Sequence, residues 1–119
     1  MNGKMQILCV GNAVFCDAFC ALSPDATVKV LRAVTVAEAR RLFADNPAID
    51  AIILSDRAER EMDTLELVVE IRRGSSVQMN LYCVVPEVGQ RFVNAGCHSC
   101  VSSWNEVSEL VEDLVSCHR

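Results

Sequence analysis

The chain alternates short apolar runs with amphipathic segments, and one run constrains the rest. Ala51-Ile52-Ile53-Leu54-Ser55 is apolar up to its last residue. Its length and its flanks, Asn46-Pro47 before and Asp56 after, read as a strand. An alternating strand can leave one face in water, whereas a continuous one needs cover on both faces. The covering elements are present. Residues 5–10, 28–33, 79–85 and 100–102 are strand-like, and helical patterns separate them.

The helix signals are local and chemical. Asn12 precedes an apolar helix over residues 13–22 and can cap it through its side-chain oxygen. Ser23-Pro24-Asp25 breaks that helix. Thr35-Val36-Ala37-Glu38 is a capping box for a helix over residues 37–44, stopped by Asn46-Pro47. Asp63-Thr64-Leu65-Glu66 opens a third helix, with Gly74 as its stop. Residues 87–95 form a short helix before Gly96. Ser103-Trp104-Asn105-Glu106 is a second capping box, followed by the stripe Val107, Leu110, Val111, Leu114 and Val115.

The result is a (βα)5 pattern over one domain, residues 1–119. Crossover helices make the sheet parallel and place helices on both faces. The expected architecture is α/β, a flavodoxin-like three-layer sandwich whose five-stranded sheet runs in the order 2-1-3-4-5. That order puts a crevice at the carboxyl ends of strands one and three, where Gly11, Asn12 and Asp56 stand.

Composition removes several functions. The chain is 51% hydrophobic with a net charge of −5, and its largest cationic clusters are the pairs Arg40-Arg41 and Arg72-Arg73. Both pairs fall on helices and read as solvated faces, so no nucleic-acid surface is expected. No apolar run reaches the length of a membrane span, and the first residues do not form a signal peptide. Seven unevenly spaced cysteines do not suggest a disulfide framework, and a reducing, cytoplasmic setting is expected.

The segment Ile52-Ile53-Leu54-Ser55-Asp56, followed by Leu65-Glu66-Leu67, resembles the neighbourhood of the phospho-accepting aspartate in receiver domains of two-component response regulators. Ala95-Gly96-Cys97 sits where that family has Gly-Ala before its fifth strand, and an amphipathic helix closes the chain. The likeness covers essentially the whole chain. It implies that Asp56 is the phospho-acceptor candidate, although Asp50 to Asp56 is one residue longer than the family interval, which leaves Ser55 as an alternative.

The departures concentrate at the implied site. The family's Mg²⁺-binding acidic pair corresponds to Gly11 and Asn12. Its hydroxyl residue at the end of strand four corresponds to Val84, Val85 or Pro86, and its lysine and proline after strand five to Ser103 and Trp104. Its loop proline and glycine correspond to Arg60 and Thr64. Phosphoryl transfer to a carboxylate needs Mg²⁺ and a cation against the gathering negative charge. Asn12 offers only a neutral oxygen, and serine cannot replace lysine.

The expected function is therefore signal transduction by a degenerate receiver: not an enzyme, without a cofactor, with weak or absent Mg²⁺ binding. Its partner would be another protein or a second copy. The resemblance places the partner surface over residues 87–119, including Trp104. The first helix, with Asp17 as its one charge and some of Val14, Cys16, Ala18 or Ala21 on its outer face, is a second choice. A working receiver phosphorylated on Asp56 by a histidine kinase is the first alternative. A redox or zinc-sensing module using Cys97, Cys100 and Cys117 is the second, resting on the single motif Cys97-His98-Ser99-Cys100.

Overall fold

The computed structural model describes residues 5–22, 28–55 and 60–118. Five strands, β1 (Met5–Val10), β2 (Val28–Ala33), β3 (Ala51–Ser55), β4 (Gln78–Tyr82) and β5 (Ser99–Val101), alternate with five helices. The helices are α1 (Ala13–Leu22), α2 (Val36–Asp45), α3 (Glu61–Gly74), α4 (Pro86–Ala95) and α5 (Trp104–His118). The strands form one sheet in the order β2-β1-β3-β4-β5, and every neighbouring pair is parallel. The expected (βα)5 sandwich is what the chain adopts.

β3 is buried along its whole length and pairs with β1 and β4. Its side chains alternate between two cores, as a pleated strand requires. Ile52 and Leu54 join α2, α3 and α4 through Val36, Val68 and Phe92. Ala51 and Ile53 join α1 and α5 through Phe19, Val107 and Val111. The apolar stripe of α5 is thus core, as its spacing suggests. Asp50 fixes the register where β3 begins: its N–H donates to the Gln6 carbonyl, and its carboxylate accepts the Gln6 N–H, both at 2.8 Å.

Local chemistry sets most helix ends. The Thr35 hydroxyl accepts from the Glu38 N–H, and the Glu38 carboxylate reaches back to the Val34 N–H, one residue earlier than the usual box. α3 begins at Glu61, two residues before the expected opening, because Asp63 pairs with Arg60 instead of capping. β4 ends at Tyr82, short of the expected Val85. The Cys83 N–H continues the ladder to the Val101 carbonyl, but Val85 is already the cap of α4 and Pro86 its first residue. The break at Ser23-Pro24-Asp25 lies outside the described residues.

Arg72 departs from the solvated face expected of it. It is half-buried, and its guanidinium donates to the carbonyls of Ser75, Val77 and Gly96 at 2.8–3.1 Å. Gly96 ends α4 at φ 136°, a left-handed conformation, and a Cβ there would meet the Arg72 side chain at 3.0 Å. One cation therefore ties the end of α3 to the turn entering β5. Arg72→Met keeps the buried stem and orphans three carbonyls. It is expected to destabilise the domain by about 1.5–3 kcal/mol in urea unfolding, whereas exposed Arg73→Met should change little.

Candidate functional site

Gly11 and Asn12 follow β1 directly, and Val10 pairs with Leu54 of β3, so the ends of β1 and β3 lie side by side at the switch point of the sheet. Asp56, the residue after β3, lies outside the described residues. Ser55, the last residue of β3, is buried.

The β1 end is built for packing. The Gly11 N–H donates to the Ala33 carbonyl at 3.1 Å, which holds the turn against the end of β2. The Asn12 side-chain oxygen accepts from the Phe15 N–H at 2.8 Å, the cap that starts α1. Helical side chains lean toward the N-terminus, so Phe15, one turn in, lies back over residue 11. A Cβ at Gly11 would stand 2.4 Å from Cδ2 of the Phe15 ring. The space into which an acidic side chain would grow at that position is therefore filled by an aromatic ring.

Phe15 belongs to a cluster. Its ring stacks on Tyr82 at a centroid distance of 5.8 Å and meets Trp104 edge-on at 5.8 Å. Tyr82 and Trp104 meet edge-on at 5.4 Å. Such geometries add about 0.5–1.5 kcal/mol per pair beyond area burial. The cluster joins α1, the end of β4 and the start of α5, so Trp104 is half-buried and engaged inside the molecule. Val14, the residue before Phe15 on α1, is 77% exposed.

The other corners are also occupied. The residue directly after β4 is Cys83, buried, and Val85 lies two residues further as the exposed cap of α4. The sequence spacing pointed past Cys83 because the strand was read three residues too long. Ser103 caps α5: its hydroxyl accepts from the Glu106 N–H at 3.2 Å. Glu106 in return accepts the N–H groups of Ser102 and Ser103 and the Ser102 hydroxyl, and these bonds, Ser102's N–H first, hold its carboxyl below the usual carboxylate range. Thr64 is buried in the first turn of α3.

Among the described residues, two arginines, one on α4 and one before α3, are paired. Arg91 of α4 pairs with Glu61, and Arg60 with Asp63 at 3.0 Å. Lys29 stands near the start of β2, at the opposite end of the sheet, and Lys4 lies outside the described residues.

The cysteines of the sensing alternative are dispersed in role. Cys97 is core, and burial pushes its thiol up to about 12. The half-buried Cys100 thiol donates to the Cys83 carbonyl at 3.7 Å, and Cys117 is exposed near the end of α5. His98 Nδ1 accepts from the Met79 N–H at 3.3 Å. Among the described residues, no group of three or more His, Cys, Asp or Glu side chains is arranged to hold a metal ion. No helix of the described residues is long and apolar enough to cross a membrane.

No protein-family model matches the chain, and no curated protein matches it by sequence. Solved structures do match. The chain is similar to the signal receiver domain of an HD domain-containing protein from Pseudomonas fluorescens Pf-5, with 17% identity and a TM-score of 0.81 over 98% of this chain and 90% of that one. It is similar to the receiver domain of the TMAO respiratory system response regulator TorR, with 19% identity and a TM-score of 0.80 over 97% of each chain. A putative response regulator from Chloroflexus aurantiacus J-10-fl matches with 15% identity and a TM-score of 0.79 over 96% of this chain and 99% of that one. The chain has the receiver-domain fold.

The contact between Gly11 and Phe15 makes an expectation that a missing acidic residue alone would not. Gly11→Ala should destabilise the domain by about 1–3 kcal/mol, since the ring must move. In a Phe15→Leu background the same change should cost distinctly less. A double-mutant cycle by urea unfolding measures the coupling, and additive changes would contradict the contact.

Proposed function

We propose that this domain is a degenerate receiver: a signal-transduction module that works by binding protein and does not use phosphorylation of Asp56. The observation that carries this reading is the Phe15 ring lying over Gly11. A receiver needs a hydrated divalent cation and carboxylates at that corner, and an aromatic edge with a neutral capping amide supplies neither. The engagement of Ser103 in a helix cap, with Trp104 packed beside it, supports the same reading at the corner where a lysine would stand.

The chemical test uses Trp104, which packs against the ring over Gly11 and so reports on that corner. Mg²⁺, beryllofluoride and acetyl phosphate are expected to leave its fluorescence unchanged and to give no labelled Asp56. Labelling of the unaltered chain that disappears in Asp56→Asn would replace this proposal with a working receiver. Gly11→Asp, Asn12→Asp and Ser103→Lys together need Phe15→Ala as well before a cation site can form.

The exposed apolar side chains indicate where a partner docks. Among the described residues, five of the six large ones, Val14, Val34, Met62, Val84 and Val85, lie at the carboxyl end of the sheet, on loops or first helical turns. Soluble monomers seldom leave such residues grouped without a use. This rim is favoured over the face of α4 and α5, whose stripe is buried; Val107 is 0% exposed. Val14→Asp and Val84→Asp are expected to weaken self-association or partner binding in sedimentation experiments while leaving the fold intact. Val107→Asp should unfold the domain. A chain that stays monomeric at all concentrations and whose partner capture is indifferent to Val14→Asp would remove the support for this surface.

A further inference from the structure

Beneath the same turn, α1 and β1 bring two thiols together. Cys9 of β1 and Cys16 of α1 are both fully buried, and their sulfurs are 3.7 Å apart, in contact, with the Cys9 thiol on Cys16. The Cys16 thiol is also within donating distance of the Gly11, Cys9 and Ala33 carbonyls, at 3.5, 3.8 and 3.9 Å. The charged and titratable groups around it are Cys9 from β1, Arg32 from β2, and Cys20 and Asp17 from α1 itself. The arrangement is asymmetric. The hydrogen bond with Cys9, and then the Arg32 guanidinium, draw the Cys16 thiol down to about 7 against the effect of burial. Cys9 shares that bond and is buried, and it is pushed up. One sulfur is prepared to attack, and the other keeps its proton.

We propose that Cys9 and Cys16 are a peroxide-sensitive dithiol that closes into a disulfide joining β1 to α1 beneath the candidate site. This site is separate from the receiver reading and does not depend on it. The oxidant is hydrogen peroxide. The Cys16 thiolate attacks one peroxide oxygen; an S–O bond forms, the O–O bond breaks, and hydroxide leaves to take up a proton as water. Cys9 gives up its thiol proton and attacks the Cys16 sulfur; the S–S bond forms and the hydroxyl leaves with that proton as a second water. Two thiols become one disulfide, and peroxide accepts the two electrons. The sulfurs must close from 3.7 Å to a bond length of about 2.04 Å, a small movement for two short side chains on adjacent elements.

Burial sets the access. Peroxide reaches these sulfurs when α1 opens from the sheet, and the exposed Asp17 to Arg32 ion pair is the surface tie between α1 and β2. Once formed, the disulfide holds the first turn of α1 down, and with it Asn12 and Phe15.

The experiment treats the whole chain with hydrogen peroxide, alkylates the remaining thiols and maps the digest by mass spectrometry. The expected result is a linked peptide joining Cys9 to Cys16, reversed by dithiothreitol, with two of the seven cysteines closed to alkylation. The initial rate should rise with pH, because the thiolate is the attacking form. Cys20→Ser should leave the linked peptide in place, and Cys16→Ser should abolish it. Free Cys9 and Cys16 after exposed Cys117 has been oxidised, or a linkage between other cysteines, would overturn the proposal.

Discussion

The two-sided burial of β3 is the constraint on which the molecule depends. A strand with no solvent face cannot lie at an edge, and it needs helices above and below. With β1 and β4 on its flanks and two helical layers over it, the right-handed crossover rule leaves few ways to place the remaining strands. The reversal of strand order between β1 and β3 then follows, and so does a crevice at their carboxyl ends. The crevice is a product of topology. What fills it is a separate matter, decided by a handful of side chains.

Here those side chains choose packing over charge. The chain has only six aromatic residues, one Trp, one Tyr and four Phe. Three of them, Phe15, Tyr82 and Trp104, meet at this end of the sheet. A low-dielectric cluster and a divalent cation are poor neighbours, because a cation's ligands need charge and water. The polar residues left at the corners, Asn12 and Ser103, complete helix caps instead of pointing outward. Among the described residues, the polar groups at these two corners are thus satisfied locally by helix caps.

Much of this was legible in the sequence because it is written in local periods. The alternation of strands and helices, the caps at Thr35 and Ser103 and the stop at Gly96 follow from spacing or from one residue's chemistry, whereas the strand order rests on the commonest topology for this alternation. The loss of acidic residues at Gly11 and Asn12 was legible too. Most of the misses are non-local. The end of β4 depends on Cys83 pairing with Val101 and on Val85 turning to cap α4, and an apolar run such as Tyr82 to Val85 carries no mark of where pairing stops. Arg72 looks like any surface arginine until three carbonyls from the α3–β4 and α4–β5 turns surround it. Phe15 on Gly11 was within reach of the sequence, since the Asn12 cap fixes the start of α1 at Ala13 and the helical lean of the side chain then points it at residue 11. Cys9 and Cys16 lie on elements of different period, and nothing in the spacing says that they share a face.

The first turn of α1 gathers these features into one mechanical unit. Asn12 caps it, Phe15 lies on Gly11 and against Trp104, and Cys16 touches Cys9, all within five consecutive positions of the chain. Helical geometry couples them, since lifting the turn moves all three contacts together. Separate small contacts can fray one at a time, but contacts on a single rigid turn are lost or kept as a set. Val14 is exposed on the same turn, so a partner docking there as proposed would contact that unit as well. A protein that binds Val14 with the turn down would stabilise the capped, aromatic-filled crevice by the difference in its affinity for the two states. Under the proposed function, surface and crevice would communicate through this one helical turn, by packing contacts that are kept or lost together.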